Sequence, residues 1–234
     1  MVGSRTRVVI VIVVKVAVVV VVAVIIVAKV VAVVAGLSGA DIGDVDILVN
    51  NAGIVTGKPF LDSPDSLNVK TMEVNTMAHF WTVKAFVPQM LQKDKGHVVT
   101  IASTAGLFGA PGLTDYCASK FSAVGFGESL RLEIAKQKKE GVKTTLVCPG
   151  FIDTGMLEGF KYRFPLIIPV LKPPYVADRI IGAVLTDQSF LCMPRIMHLM
   201  IFIKGFLPVT VVDAMGEFMG LLDTMNDFKG RKQD

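Results

Sequence analysis

Disulfide frameworks, metal-ligand clusters and basic tracts are the features that this sequence lacks. Its three cysteines, Cys117, Cys148 and Cys192, are odd in number and widely spaced, and no Asn-x-Ser/Thr sequence occurs. This pattern argues against a disulfide-rich secreted domain and favours reduced thiols in a cytosol-facing one. The three histidines have no metal-ligand spacing with one another or with a cysteine, so we expect no metal site. The net charge is only +4 and no basic run is interleaved with aromatic residues, so nucleic acid is not an expected partner.

Charged residues are also scarce, at 19% of the chain, whereas hydrophobic residues reach 52%. The hydrophobic excess lies at the two ends, which points to a membrane. The 234 residues are enough for one α/β domain with a sizeable core. We therefore expect a hydrophobic segment over residues 1–36, a domain with a C-terminal apolar block over residues 37–212, and a tail over residues 213–234.

The Val-rich segment 1–36 predicts a membrane anchor. Half of its residues are valine, and Val8 to Ala35 contains only two charged residues, Lys15 and Lys29. The run exceeds the roughly 20 residues with which a helix crosses a bilayer, and the arginines before it favour a cytosolic N-terminus. Valine is a poor helix former and the composition is of low complexity, so an artificial or corrupted segment stays as the alternative.

The stretch His97 to Lys120 contains the best candidates for chemistry. His97 to Ala102 are mostly apolar and β-branched and predict a buried strand, so Ser103 falls at its carboxyl end, where ligands lie in open α/β sheets. A glycine-rich loop follows, and then a predicted helix with Tyr116 and Lys120 in its first turns. Because these two are four residues apart, they share one helical face.

These three side chains predict proton transfer at one substrate oxygen. A free phenol has a pKa of about 10, and a nearby ammonium group favours the phenolate, so Lys120 is expected to lower the pKa of Tyr116. Ser103 can donate and accept hydrogen bonds and could hold the oxygen in place. None of these residues carries a hydride, so the chemistry needs a cofactor.

Three motifs, in this order, resemble the short-chain dehydrogenase/reductase superfamily. Asn50-Asn51-Ala52-Gly53 follows a predicted strand, Tyr-x-x-x-Lys comes thirteen residues after Ser103, and Pro149-Gly150 follows the next predicted strand. From about Gly43 onward the chain is similar to the membrane-bound retinol dehydrogenases of this superfamily. The matching segments are LVNNAGIVTGK, AHFW, DYCASKF and GVKTTLVCPG.

The resemblance implies an α/β fold with a Rossmann-like parallel sheet flanked by helices, and it implies roles for matching residues. Asn75, Ser103, Tyr116 and Lys120 match the family's catalytic tetrad, in which the lysine also binds the nicotinamide ribose and the asparagine holds a water near that lysine. The positions that match the cofactor site are Asn50, Ala52, Gly53, Tyr116, Lys120, Pro149, Gly150, Ile152 and Thr154.

Two apolar stretches predict contacts with a lipophilic substrate and with a membrane. Residues 155–174 are aromatic and interrupted by proline, and they suggest a lid over the serine, with packing as the alternative. The candidate substrate contacts are Ser103, Met156, Phe160 and Phe164. The block Ile196 to Val212 is expected to form an interfacial helix or hairpin, again with core packing as the alternative.

The implied activity is oxidation of all-trans-retinol to retinal with NAD or NADP. A hydroxysteroid dehydrogenase is one alternative, and a catalytically silent membrane-bound paralogue that binds lipid or a partner dehydrogenase is another. The implied location is the endoplasmic reticulum membrane or a lipid droplet, with the domain facing the cytosol. A homo-dimer, or a hetero-dimer with another dehydrogenase, is the expected assembly.

The N-terminal part departs from the family pattern. Only 49 residues precede Asn50, and most belong to the Val-rich run. The family's first β-α-β-α-β portion, at about 30 residues for each βαβ unit, is therefore expected to be missing, which would leave the Asn50 strand as an exposed sheet edge. Gly36 to Gly43 is not a dinucleotide fingerprint, because a strand rather than a helix follows it.

Overall fold

The computed structural model describes residues 8–12, 45–156, 159–160 and 163–228. Within them, five parallel strands form one sheet in chain order. Their β-branched, apolar sequences suit a sheet that is covered on both faces. The strands are β1 (Val8–Ile12), β2 (Val45–Asn50), β3 (Gly96–Ile101), β4 (Val142–Pro149) and β5 (Phe190–Met193).

Strand β1 changes the prediction for the N-terminal segment. It pairs in parallel with β2, from Val8 opposite Val45 to Ile12 opposite Asn50, so the expectation that β2 forms an exposed edge is wrong. Consecutive β-branched residues favour a strand over a helix, which explains why this part of the run extends the sheet. The anchor predicted over residues 1–36 is not confirmed, and its other residues, together with the Gly36–Gly43 stretch, lie outside the described part.

Six α-helices lie around the sheet in the described ranges, and a π-helical segment joins the first two of them. The long helix after Ser63 consists of three consecutive pieces, which are α1, the π-helical segment and α2. The other helices come later in the chain, after β3, β4 and β5. Their bounds are α1 (Asp65–Met72), the π-helical segment (Glu73–Met77), α2 (Ala78–Lys93), α3 (Thr114–Lys136), α4 (Pro173–Leu185), α5 (Ile196–Phe206) and α6 (Val209–Phe218). None of the helices in these ranges is long and apolar enough to span a bilayer.

The core lies on both faces of the sheet. On one face, Leu48 and Val98 of the strands pack with Phe86 of α2 and Leu130 of α3. On the other face, Val99, Val147 and Leu191 pack with Val176 and Ala183 of α4. This helix–sheet–helix layering confirms the predicted parallel α/β architecture. Helix α6 crosses the proposed boundary at residue 212, and the division into three parts stays a prediction.

Candidate active site

The candidate residues lie at the carboxyl edge of the sheet. Asn50 ends β2, Ser103 follows β3 by two residues, and Pro149 ends β4. These three strands are adjacent and parallel. Their carboxyl ends therefore meet at one edge, which is the usual ligand position in such sheets.

Ser103 connects three elements of the structure. It caps the short 3-10 turn Thr104–Gly106, and its Oγ accepts a hydrogen bond from the Ala105 backbone N–H at 3.1 Å. The same hydroxyl donates to the Pro149 carbonyl at the end of β4, at 3.4 Å. It also hydrogen-bonds to the side chain of Tyr116. The predicted meeting of Ser103 and Tyr116 is therefore present.

Lys120 lies one helical turn beyond Tyr116 and is almost completely buried. Its Nζ is 5.7 Å from the centroid of the Tyr116 ring and donates a hydrogen bond to the Ile101 carbonyl at 3.2 Å. The ammonium group therefore lies beside the aromatic ring and is held by the last residue of β3.

The electrostatics of this pair correct one prediction. Burial raises the pKa of Tyr116 to about 12, although the hydrogen bond with Ser103 partly opposes this. Burial also lowers the pKa of Lys120 to about 8. We expected Lys120 to lower the pKa of Tyr116, but withdrawal from water disfavours the charged form of both groups and dominates here. At neutral pH Tyr116 is therefore a neutral phenol that can donate a proton.

Asn75 lies in the π-helical segment and is fully buried. Its Oδ1 accepts a hydrogen bond from the Ile54 N–H at 2.8 Å, and its Nδ2 donates to the Ile54 carbonyl and to Ser119 Oγ, both at 2.9 Å. These partners lie in the loop after β2 and in α3, not in its own helix. Asn75 thus joins the two segments that bring Gly53 and Lys120 together.

The family assignment follows from comparison with known proteins. The model of the family described as short chain dehydrogenase matches residues 14–162, more than half of the chain. The chain belongs to the short-chain dehydrogenase family. It is 49% identical to human epidermal retinol dehydrogenase 2 over 193 residues, which are 82% of this chain and 62% of that protein. It is 47% identical to zebrafish (Danio rerio) retinol dehydrogenase 10-B over 197 residues, covering 83% and 59%.

A solved structure supports the same fold. The short chain dehydrogenase/reductase from Burkholderia phymatum, crystallised in complex with NAD, superposes with a TM-score of 0.62 at 25% sequence identity, covering 76% of this chain and 71% of that one. The predicted resemblance to the superfamily and to its retinol dehydrogenases is therefore confirmed. The chain spans about three fifths of the length of the curated relatives that it matches.

In this short-chain dehydrogenase, Asn50, Ala52 and Gly53 form one side of the predicted cofactor region. Asn50 and Ala52 are buried, and Asn50 Oδ1 accepts a hydrogen bond from Thr82 Oγ1 at 2.8 Å. Asn50 Nδ2 is buried without a hydrogen-bond partner among the described residues. A Cβ atom on Gly53 would lie 3.5 Å from Lys120 Nζ, so glycine leaves the backbone open beside the lysine.

Pro149, Gly150, Ile152 and Thr154 form the other side of that region, beyond β4. The Gly150 N–H donates to the Met193 carbonyl at 2.7 Å, which fixes the turn against the end of β5. Ile152 forms a bridge with Leu171, and Thr154 is exposed, with its Oγ1 donating to the Ile152 carbonyl at 3.5 Å. The two sides flank Ser103 because β3 lies between β2 and β4.

The predicted substrate residues are placed less closely together. Phe160 stacks on Phe151 beside the Pro149-Gly150 turn, with ring centroids 3.8 Å apart. Phe164 packs instead against Phe218 of α6, with centroids 5.5 Å apart. Met156 is half-buried in the same segment. Two side chains of the predicted lid thus contact different parts of the fold.

Sequence reasoning missed two residues next to the tetrad. Cys148 is fully buried in β4, and its sulfur accepts a hydrogen bond from the Ser103 backbone. His79 is 1% exposed, and both of its ring nitrogens lack a hydrogen-bond partner among the described residues. Burial, with a further contribution from the charge of Lys120, lowers the pKa of His79 to about 3. Both residues lie in segments that match the family, AHFW and GVKTTLVCPG, but these matches did not indicate a role for either residue.

Proposed function

We propose that this chain acts as an NAD(P)-dependent oxidoreductase that interconverts a lipophilic alcohol and its carbonyl, specifically all-trans-retinol and retinal. The observation that carries the proposal is the hydrogen bond between Ser103 and Tyr116, with Lys120 one helical turn away. The names of the relatives, retinol dehydrogenases at 47–49% identity, support the substrate class. The NAD complex of the structural neighbour supports the cofactor class.

The described residues fit the nicotinamide half of such a cofactor. Gly53 leaves its backbone accessible beside Lys120 Nζ and Asn75 Oδ1, and Asn50 Nδ2 offers a buried donor without a partner in the described part. A bound nicotinamide supplies the hydride acceptor or donor that the side chains lack. Lys120, and the backbone and hydroxyl groups of Gly150, Ile152 and Thr154, would hold this half.

The proton steps belong to the chain's own residues. Ser103 would hold the substrate oxygen, and Tyr116 would donate its proton to a carbonyl or accept one from an alcohol. Because the pKa of Tyr116 is raised, its neutral form favours carbonyl reduction at neutral pH, and alcohol oxidation should accelerate as the pH rises. Through its three hydrogen bonds, Asn75 would fix the position of the loop after β2 relative to helix α3.

An apolar surface suits a substrate that dissolves in lipid. Helices α5 and α6 present large exposed apolar side chains, which include Phe202, Phe206 and Val209. A patch of this kind is typical of a surface that meets another apolar phase. We therefore assign these helices to contact with a membrane surface, such as the endoplasmic reticulum or a lipid droplet.

Replacement of Tyr116 by phenylalanine tests the proposed chemistry. We expect Tyr116→Phe to lower retinol oxidation by at least about 100-fold, because it removes the proton acceptor, and to weaken NADH binding far less, because Lys120 and the other cofactor-site residues remain. The measurement is retinal formation, together with titration of NADH and NADPH fluorescence. Tyr175→Phe, at a tyrosine that is 50% exposed on α4, is the matched control and should change neither quantity.

The same measurements separate the competing functions. No saturable binding of either NADH or NADPH would rule out the dehydrogenase. Cofactor binding without turnover of retinol or steroid alcohols would indicate the silent paralogue. Turnover of hydroxysteroids but not of retinol would favour the steroid enzyme and would contradict retinol as the substrate.

A further inference from the structure

The C-terminal segment 218–228 contacts the loops that follow three adjacent strands of the sheet. These are the loop after β2, the loop after β3 and the segment after β4. Ligands of open parallel sheets lie just outside the carboxyl ends of the strands. A single segment that touches all three loops therefore crosses the edge where Ser103 and Tyr116 lie.

The contact with the first loop is made by Phe228. Its ring fills the space next to Gly57, four residues after Gly53, and a Cβ atom on Gly57 would overlap that ring. Gly57 also has a φ angle of 65°, which side chains rarely adopt. The loop after β2 therefore accommodates Phe228 only because residue 57 is glycine.

The contact with the second loop is made by Met225. A Cβ atom on Gly112 would lie 3.1 Å from the Met225 Cβ, and the φ angle of Gly112 is 72°. Gly112 lies four residues before Tyr116, in the loop between Ser103 and helix α3. Met225 therefore packs on the loop that separates the two proposed proton-transfer residues.

The contact with the third segment is made at the start of the C-terminal segment. Arg163 Nη1 donates a hydrogen bond to the Phe218 carbonyl at 2.9 Å, and the Phe164 ring packs on the Phe218 ring. Between these contacts Thr224 is 2% exposed, and its Oγ1 donates to the Leu221 carbonyl at 2.9 Å. That bond lies within the segment itself, and the contacts of Phe218, Met225 and Phe228 hold the segment against the three loops.

We propose that Met225 and Phe228 close the substrate site of this dehydrogenase and select its occupant by length. The inference rests on the proposed function, because it takes the Ser103 edge as the substrate site. Both side chains are apolar and half-buried, so they would form an apolar wall against the chain of an alcohol. A long, unbranched or polyene alcohol would contact this wall, whereas a short alcohol with the same reacting end would not reach it.

Truncation of the two side chains tests this role through selectivity, without the need for turnover. The probes are all-trans-retinol, followed by its own fluorescence, and geraniol, a shorter allylic alcohol, used as its competitor. We expect Phe228→Ala and Met225→Ala to reduce the preference for retinol over geraniol by about tenfold, the effect of losing a few apolar contacts in a pocket. Phe206→Ala, at a phenylalanine that is 77% exposed on α5, is the matched control and should leave the ratio unchanged.

The outcomes distinguish this inference from the proposed function. An unchanged ratio in both variants, an equal change in Phe206→Ala, or no retinol binding by the unaltered chain would overturn the selective role. The retinol-to-geraniol ratio could instead change in the variants while the unaltered chain binds neither NADH nor NADPH. That result would support the role of Met225 and Phe228 in selecting the ligand and would contradict the proposed dehydrogenase activity. If Phe228→Ala does not fold, Phe228→Leu, which keeps an apolar side chain, should shift the ratio in the same direction by a smaller factor.

Discussion

The site at the sheet edge buries polar side chains, whereas the two C-terminal helices expose apolar ones. Around Ser103, Asn75 and Lys120 are buried and hydrogen-bonded to partners from other elements. On α5 and α6, Phe202 is 66% exposed and Val209 is 71% exposed. Burial with partners fixes the positions of reactive groups, whereas exposed apolar side chains add little to the fold and are available to another surface.

Substitution of Asn75 should give the largest effect on the buried side of this comparison. Asn75→Ala removes three hydrogen bonds and leaves Ile54 and Ser119 groups without partners, so we expect it to lower the free energy of unfolding by about 2–4 kcal/mol. Urea denaturation measures this loss. Asn226→Ala is the control, because Asn226 is exposed and its side chain donates a hydrogen bond to the nearby Asp223 carboxylate at 3.1 Å. Equal losses in the two variants would contradict the structural role of Asn75.

Substitution of His79 should give an effect of intermediate size that depends on pH. The pKa of this buried group is lowered to about 3 from 6.5, so the unfolded chain takes up the proton first and stability falls as the pH drops from about 6.5 towards 3. His79→Leu removes this proton uptake. Between pH 7 and pH 4.5 the free energy of unfolding should decrease by about 2–3 kcal/mol less in His79→Leu than in the unaltered chain.

Denaturation at several pH values checks the His79 prediction. His198→Leu, at an exposed histidine on α5, is the matched control. If the free energy of unfolding of His79→Leu falls as steeply with decreasing pH as that of the unaltered chain, His79 does not contribute to this pH dependence.

Substitution on the exposed helices should give the smallest effect on stability. Phe202→Ser should change the free energy of unfolding by no more than about 0.5 kcal/mol, because the side chain is mostly in solvent. It should nevertheless weaken co-sedimentation with phosphatidylcholine vesicles. Leu185→Ser, at a leucine that is 77% exposed on α4, is the control and should leave vesicle binding unchanged. Equal binding by both variants would break the assignment of α5 and α6 to a membrane surface.

The sequence was informative where structure is set by local pattern. The apolar run from His97 placed Ser103 at the end of a strand, and the four-residue spacing placed Tyr116 and Lys120 on one helical face. The order of strands and helices after Gly43 was predictable for the same reason. The resemblance to the family then predicted that these strands form one parallel sheet.

The remaining features depend on contacts between distant residues. Pairing of β1 with β2 joins residues that are more than 30 positions apart, and periodicity alone does not encode this pairing. The direction of the pKa shift of Tyr116 depends on how deeply the phenol is buried, which spacing does not reveal. The fit of Phe228 against Gly57 likewise appears only in three dimensions.

The π-helical segment Glu73–Met77 limits the insertions and deletions that the chain can accommodate. One helical residue corresponds to a rotation of about 100°, so deletion of a single codon here would swing the downstream half of the long helix away from its present orientation. Asn75 and Thr82 could then no longer reach Ser119 and Asn50 at the same time. We therefore expect the length of this stretch to be constrained as strongly as the identity of Asn75.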